Sequence, residues 1–234
     1  MPDSRQTFLI TGASTGIGAA TARHAVLAGY RVVLAARTEE KLADLVDELG
    51  GAEHALAVRT DVTQWEDVEV LAERALDAFG SIDVVFANAG FGGARSFSPE
   101  TADSVEDWKA MILTNVYGAA LTLRATIEHV KAVRGHFLLT GSVAGRRALP
   151  GSLYSATKFA VTAMGESLRQ ELNGTGCRVT LVEPGMVDTP FFDSKPSLHA
   201  LEGDDVARAV LFAVQQPPHV DVNEILIRPT DQEG

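Results

Sequence analysis

Residues 8–18 read Phe8-Leu9-Ile10-Thr11-Gly12-Ala13-Ser14-Thr15-Gly16-Ile17-Gly18: three apolar residues, a glycine-rich turn, then the start of a helical pattern that runs to Ala28. A glycine turn between a strand and a helix lets the backbone come close to a pyrophosphate, and the helix N-terminus offers unpaired N–H groups and a partial positive charge. The spacing is Gly-x-x-x-Gly-x-Gly rather than the commoner Gly-x-Gly-x-x-Gly. Glycines also serve plain turns between buried elements. The strand before and the helix after point instead to a phosphate cradle made by Gly12, Ser14, Thr15, Gly16, Ile17 and Gly18.

Outward from this turn the same alternation continues. Apolar runs at 32–35, 55–58, 82–87, 137–140, 179–182 and 225–227 predict six further strands, and their continuous apolar character suits a parallel sheet covered on both faces. Helical patterns fill 39–49, 63–79, 154–172 and 204–214, with more than one helix over 104–133. Thr63-Gln64-Trp65-Glu66 has the spacing of a capping box opening the third helix. The expectation is a single α/β domain over residues 1–234, a Rossmann-type doubly wound parallel sheet of seven strands with helices on both faces, and a mobile loop over 184–201 that could close on a ligand.

The 234 residues are 46% hydrophobic and 22% charged, which supports a sizeable core and excludes wholesale disorder. A net charge of −11 repels phosphate backbones, so no nucleic-acid partner is expected. The lone Cys177 cannot form an internal disulfide, no run of about 18 apolar residues is present, and Met1–Thr7 lacks a signal-like core. These point to a cytoplasmic protein with no membrane partner. The six histidines show no ligand spacing, so no metal site is expected.

The chemistry should sit at the carboxyl edge of the sheet. After the second strand comes Arg37, with no acid before Glu39. A cation there pairs with a 2′-phosphate, which favours NADP(H), with NAD(H) still possible; the alternative is a solvated loop arginine. Asp61 beside Val62 ends the third strand and either accepts from an adenine amino group or serves as a helix-start acid. Asn88, Ala89 and Gly90 end the fourth. Tyr154 and Lys158 share a helix face at i and i+4, where an ammonium would favour the phenolate and tune the phenol for proton transfer. Ser142 ends the fifth strand and can hydrogen-bond a carbonyl oxygen that becomes negative on hydride addition. Asn115 is a poor helix-interior residue, which implies a backbone perturbation holding a water near Lys158, or a simple helix break.

Together these residues resemble the short-chain dehydrogenase/reductase family in its compact single-domain branch, from Thr7 to about Arg228. The resemblance rests on Thr11–Gly18, Asn88–Gly90, Asn115, Ser142, Tyr154 with Lys158, and Pro184-Gly185 followed by Thr189. It implies that Tyr154 is the general acid/base, Ser142 orients the carbonyl, Lys158 holds the nicotinamide ribose and lowers the tyrosine pKa, and Asn115 anchors a relay water. Val187 and Thr189 would lie near the nicotinamide carboxamide on the mobile loop, and Pro184 and Gly185 would also contact the cofactor. The family pattern departs at Ala87, where many members carry a second asparagine. It also implies a homotetramer or homodimer acting on a small-molecule carbonyl or alcohol. The alternative is a weakly active NADP(H)-binding sensor. Phe91, Leu149, Leu153, Met186, Phe191 and Phe192, with Arg95, Arg146 and Arg147, could contact a substrate such as a small hydroxy or keto acid; otherwise the arginines are solvated and the apolar residues pack the lid.

Overall fold

The structure is a computed structural model that describes residues 5–93, 96–98, 103–191 and 199–232. In chain order the elements are β1 (Thr7–Thr11), α1 (Gly16–Leu27), β2 (Arg31–Ala36), α2 (Glu39–Glu48), β3 (Ala55–Arg59), α3 (Trp65–Phe79), β4 (Val84–Ala87), α4 (Val105–Ile112), α5 (Ala119–Val133), β5 (His136–Thr140), α6 (Leu153–Glu171), β6 (Arg178–Pro184), β7 (Val187–Asp188), β8 (Leu201–Glu202), α7 (Gly203–Val214) and β9 (Glu224–Ile227). All seven expected strands form one parallel sheet in the order β3-β2-β1-β4-β5-β6-β9. The sequence did not reveal the short pairing of β7 with β8, which ties Val187 to Leu201 across the segment expected to be a loop.

Successive residues of a strand face opposite sides of the sheet, and the core divides accordingly. Phe8 and Ile10 pack with Ala22, Leu42 and Val210 of α1, α2 and α7. Leu9 packs on the other side with Leu71, Leu123 and Val161 of α3, α5 and α6. The inner strands are buried apart from half-buried Arg178 at the start of β6, whereas the edge strand β9 alternates exposed and half-buried positions and β3 mixes buried and half-buried residues with exposed Arg59. An edge strand has a neighbour on one side only, so a continuous apolar run does not guarantee burial on both faces there.

The capping box at Thr63 does not form. α3 starts two residues later, with Gln64 preceding it, and the Thr63 hydroxyl instead donates to Asp61 Oδ1 at 2.8 Å. The nearer acceptor wins, because a side chain two residues back closes a local turn without waiting for the helix. The long segment divides as expected: α4, opened by a capping box between Ser104 and Asp107, passes through a π-helical turn at Leu113–Gly118 into α5. Val105–Val133 is long and apolar enough to cross a membrane by length and composition. In this fold its Ala119, Leu123 and Val130 are packed into the core.

At the amino edge, His136 is fully buried. Its Nε2 lies 2.7 Å from Thr180 Oγ1, which donates its own proton to the Val222 carbonyl at 2.6 Å. The histidine must therefore carry its proton on Nε2, leaving Nδ1 as a buried acceptor without a partner. Burial, reinforced by the Arg178 guanidinium, pushes its pKa down to about 3. The unfolded chain binds this proton near pH 6.5 and the folded one does not, so stability falls as pH drops from about 6.5 toward 3. Wild type should lose about 2–3 kcal/mol more than His136→Gln between pH 6.5 and 4.5 in urea unfolding; parallel losses would refute this.

Candidate active site

The carboxyl ends of the strands and the turns that follow them wall one cavity of about 410 Å³. Every predicted catalytic or cofactor-binding residue except Gly18 and Asn115 lines it; of the candidate substrate contacts Phe91 and Phe191 do, whereas Leu149, Leu153, Met186, Arg146 and Arg147 do not. At the cradle end, Gly12 and Gly16 have φ of +66° and +55°, a conformation that side chains disfavour. A Cβ on Gly18 would lie 2.3 Å from the Gly12 carbonyl oxygen. Gly18 therefore does not touch the cavity; it lets α1 sit close enough to point its N-terminus there. Thr15 precedes α1 in extended conformation, makes no side-chain cap, and the first turn of α1 holds no acid. The uncapped N–H groups and the closely packed turn fit a dinucleotide pyrophosphate.

Arg37 and Thr38 lie together at the far end of the cavity. Asp61 lines it too; its Oδ1 accepts from the Thr63 amide (2.9 Å) and hydroxyl, which closes a turn ahead of α3 and does not cap the helix, whose preceding residue is Gln64. The Asn88 side chain is spent inside the protein: Nδ2 donates to the Thr11 carbonyl at 3.0 Å and Oδ1 accepts from the Thr140 hydroxyl at 3.0 Å. It spaces β1, β4 and β5 rather than presenting a free amide. The sequence reading missed Thr38, Thr60, Thr114 and Thr140, all cavity-lining. The available signal was nearness in sequence: Thr38, Thr60 and Thr114 directly neighbour a residue already singled out, and Thr140 lies two before Ser142.

At the chemical end, Ser142 hydrogen-bonds Tyr154, and Tyr154 and Lys158 occupy the same face of α6. Lys158 Nζ lies 5.6 Å from the centre of the tyrosine ring and donates to the Thr140 carbonyl at 2.7 Å. The expected lowering of the phenol by Lys158 is not found. Burial pushes Tyr154 up to about 12, opposed only by the Ser142 hydrogen bond, and burial pushes Lys158 down to about 8. Desolvation disfavours both charged forms, and the ammonium is turned toward a backbone carbonyl rather than the phenol oxygen.

Asn115 sits in the π-helical turn, the backbone perturbation its position suggested. Its Oδ1 accepts from the Phe91 amide at 3.0 Å, and its Nδ2 donates to the Phe91 carbonyl at 2.9 Å and to Thr157 Oγ1 at 3.1 Å. The side chain thus clamps the end of the β4 segment onto α6. Phe191 stacks edge-on against Tyr154, with ring centres 5.6 Å apart. Arg146 does not face a substrate: its guanidinium is held by Glu183 and Glu224. Arg95 and Phe192 lie outside the described residues, as does much of the 184–201 loop. Among the described residues no group of three His, Cys, Asp or Glu side chains is arranged to hold a metal ion.

A parallel doubly wound sheet with a glycine cradle at one end of its cavity and a Ser–Tyr–Lys group at the other defines a dinucleotide-dependent oxidoreductase. The short chain dehydrogenase family matches residues 6–198, and the chain belongs to it. It is 38% identical to an uncharacterized oxidoreductase of Staphylococcus epidermidis, over 94% of this chain and 96% of that one. The fold is similar to that of an alcohol dehydrogenase from the archaeon Thermococcus sibiricus complexed with 5-hydroxy-NADP, at 33% identity and TM-score 0.87 over 99% of both chains. It is also similar to the closed form of serine dehydrogenase complexed with NADP+, at 31% identity and TM-score 0.91 over 98% of this chain and 97% of that one.

Proposed function

We propose that this protein transfers hydride between NADP(H) and a small carbonyl or alcohol substrate, with Tyr154 as general acid/base. The observation that carries the reading is the meeting of Ser142, Tyr154 and Lys158 in the same cavity as the uncapped α1 N-terminus. Similar structures hold NADP forms in some cases and NADH or NAD in others, which supports a nicotinamide cofactor, and the preference for NADP(H) rests on Arg37. When bound, the nicotinamide supplies or accepts the hydride. Ser142 Oγ then donates to the substrate oxygen, and Tyr154 Oη delivers the proton that this oxygen takes up. A phenol near 12 is fully protonated at neutral pH, which suits the acid role, and an alkoxide is a far stronger base than a phenolate. Lys158 is positioned to hold the ribose. Both Nδ2 protons of Asn115 are engaged with Phe91 and Thr157, so a water held by Asn115 would donate to its backbone carbonyl or to the second lone pair of Oδ1. Exposed Tyr117 and Phe159, with Phe212 and Leu226, support assembly into a homodimer or homotetramer.

The test follows NADPH absorbance against a panel of aldehydes, ketones and hydroxy acids, for wild type and Arg37→Ala. Wild type should consume NADPH with at least one compound. Loss of a charge-assisted pair should raise the NADPH KM of the variant by about 10-fold or more and leave the NADH KM within about 2-fold. An unchanged NADPH KM removes the NADP preference, and cofactor binding with no consumption supports the sensor instead.

A further inference from the structure

The carboxylate of Glu183 is fully buried at the end of β6, yet no part of the chemistry above uses it. Burying a carboxylate is costly, and a well-packed apolar residue of similar size is often no less stabilising. What the charge adds is connection. Arg146 Nε donates to both of its oxygens at 2.8 Å, and Thr162 Oγ1 donates to Oε1 at 3.1 Å. Arg146 ends the tight turn that Ser142 opens, and Thr162 lies on α6 one turn beyond Lys158. Glu183 itself precedes Pro184, whose carbonyl accepts from Ser142 Oγ at 3.4 Å. The packing leaves little slack: a Cβ on Gly141 would lie 2.8 Å from Glu183 Cγ, and one on Gly145 would lie 2.8 Å from the Lys158 carbonyl oxygen.

We propose that Glu183 is a positioning residue whose carboxylate locks the Ser142–Arg146 turn onto α6 and so keeps the Ser142 hydroxyl in register with the Tyr154 phenol. The inference rests on the reading of Ser142 and Tyr154 as the reacting pair. It also explains why Arg146 is unavailable to a substrate carboxylate: Glu183 and Glu224 hold its guanidinium.

Glu183→Gln keeps the size and removes the charge. It should lower kcat for carbonyl reduction by about 10-fold or more, as a small misplacement of a reacting group does, with the NADPH KM within about 2-fold. In a Ser142→Ala background the same change should cost no more than about 2-fold, because the group it positions is gone. Amide exchange should quicken over residues 141–149 and stay unchanged in β1 and β4. Thr162→Val, which removes one donor and is expected to fold, should move both readouts less in the same direction, and it carries the cycle should Glu183→Gln fail to fold. Losses that multiply in the double variant, an unaltered kcat, or exchange over 141–149 matching wild type would overturn the proposal. If wild type reduces none of the carbonyl compounds, the functional reading fails and the exchange measurement alone decides the role of Glu183.

Discussion

Tyr154→Phe is expected to reduce turnover by about 10³-fold while leaving the cofactor Kd within about 2-fold, the range for losing one positioned proton donor. The substitution removes a single oxygen. The ring keeps its place on α6 and its edge contact with Phe191, so the fold and the cradle are untouched. What disappears is the donor that Ser142 hydrogen-bonds and that burial keeps protonated. Steady-state kcat, cofactor titration by fluorescence, and thermal unfolding separate the cases. A variant that stays folded, binds cofactor and retains more than about a tenth of wild-type kcat would rule out the phenol as the proton donor.

Gly18→Ala should have a comparably large effect by a different route. The new methyl carbon would sit 2.3 Å from the Gly12 carbonyl oxygen and 2.9 Å from Asn88 Nδ2. Neither neighbour can yield cheaply: one is backbone, and the other is bonded to the Thr11 carbonyl. α1 must back away from the turn, which withdraws its uncapped N–H groups from the pyrophosphate position. Overpacking of this kind costs about 1–3 kcal/mol of stability. We expect the cofactor Kd to rise by about 100-fold, as two or more hydrogen bonds to a charged group are lost. A calorimetric Kd within about 3-fold of wild type would show that the cradle does not hold the cofactor.

The fold and the main parts of the site were legible in the sequence wherever the controlling geometry is local. Apolar runs of strand length alternating with helical patterns define a parallel α/β sheet whatever packs around them. Gly12, Gly16 and Gly18 declare a close approach of backbone, Tyr154 and Lys158 share a face because four residues make about one helical turn, and Asn115 marks a backbone irregularity by being a poor helix former. Contacts between distant residues were not legible. The ion pair of Arg146 with Glu183 joins residues 37 apart, and sequence reading left Arg146 open as a substrate contact. The tie from Lys158 to the Thr140 carbonyl, and the raised rather than lowered phenol pKa, depend on how much solvent the assembled sheet and helices exclude. Thr63 shows the same limit at short range: its spacing to Glu66 allowed a cap, and competition from Asp61 decided against it. Spacing along the chain fixes which groups can meet, because bond geometry is the same in any protein; which of them do meet, and at what proton affinity, follows from burial and competing partners that exist only once the chain has packed.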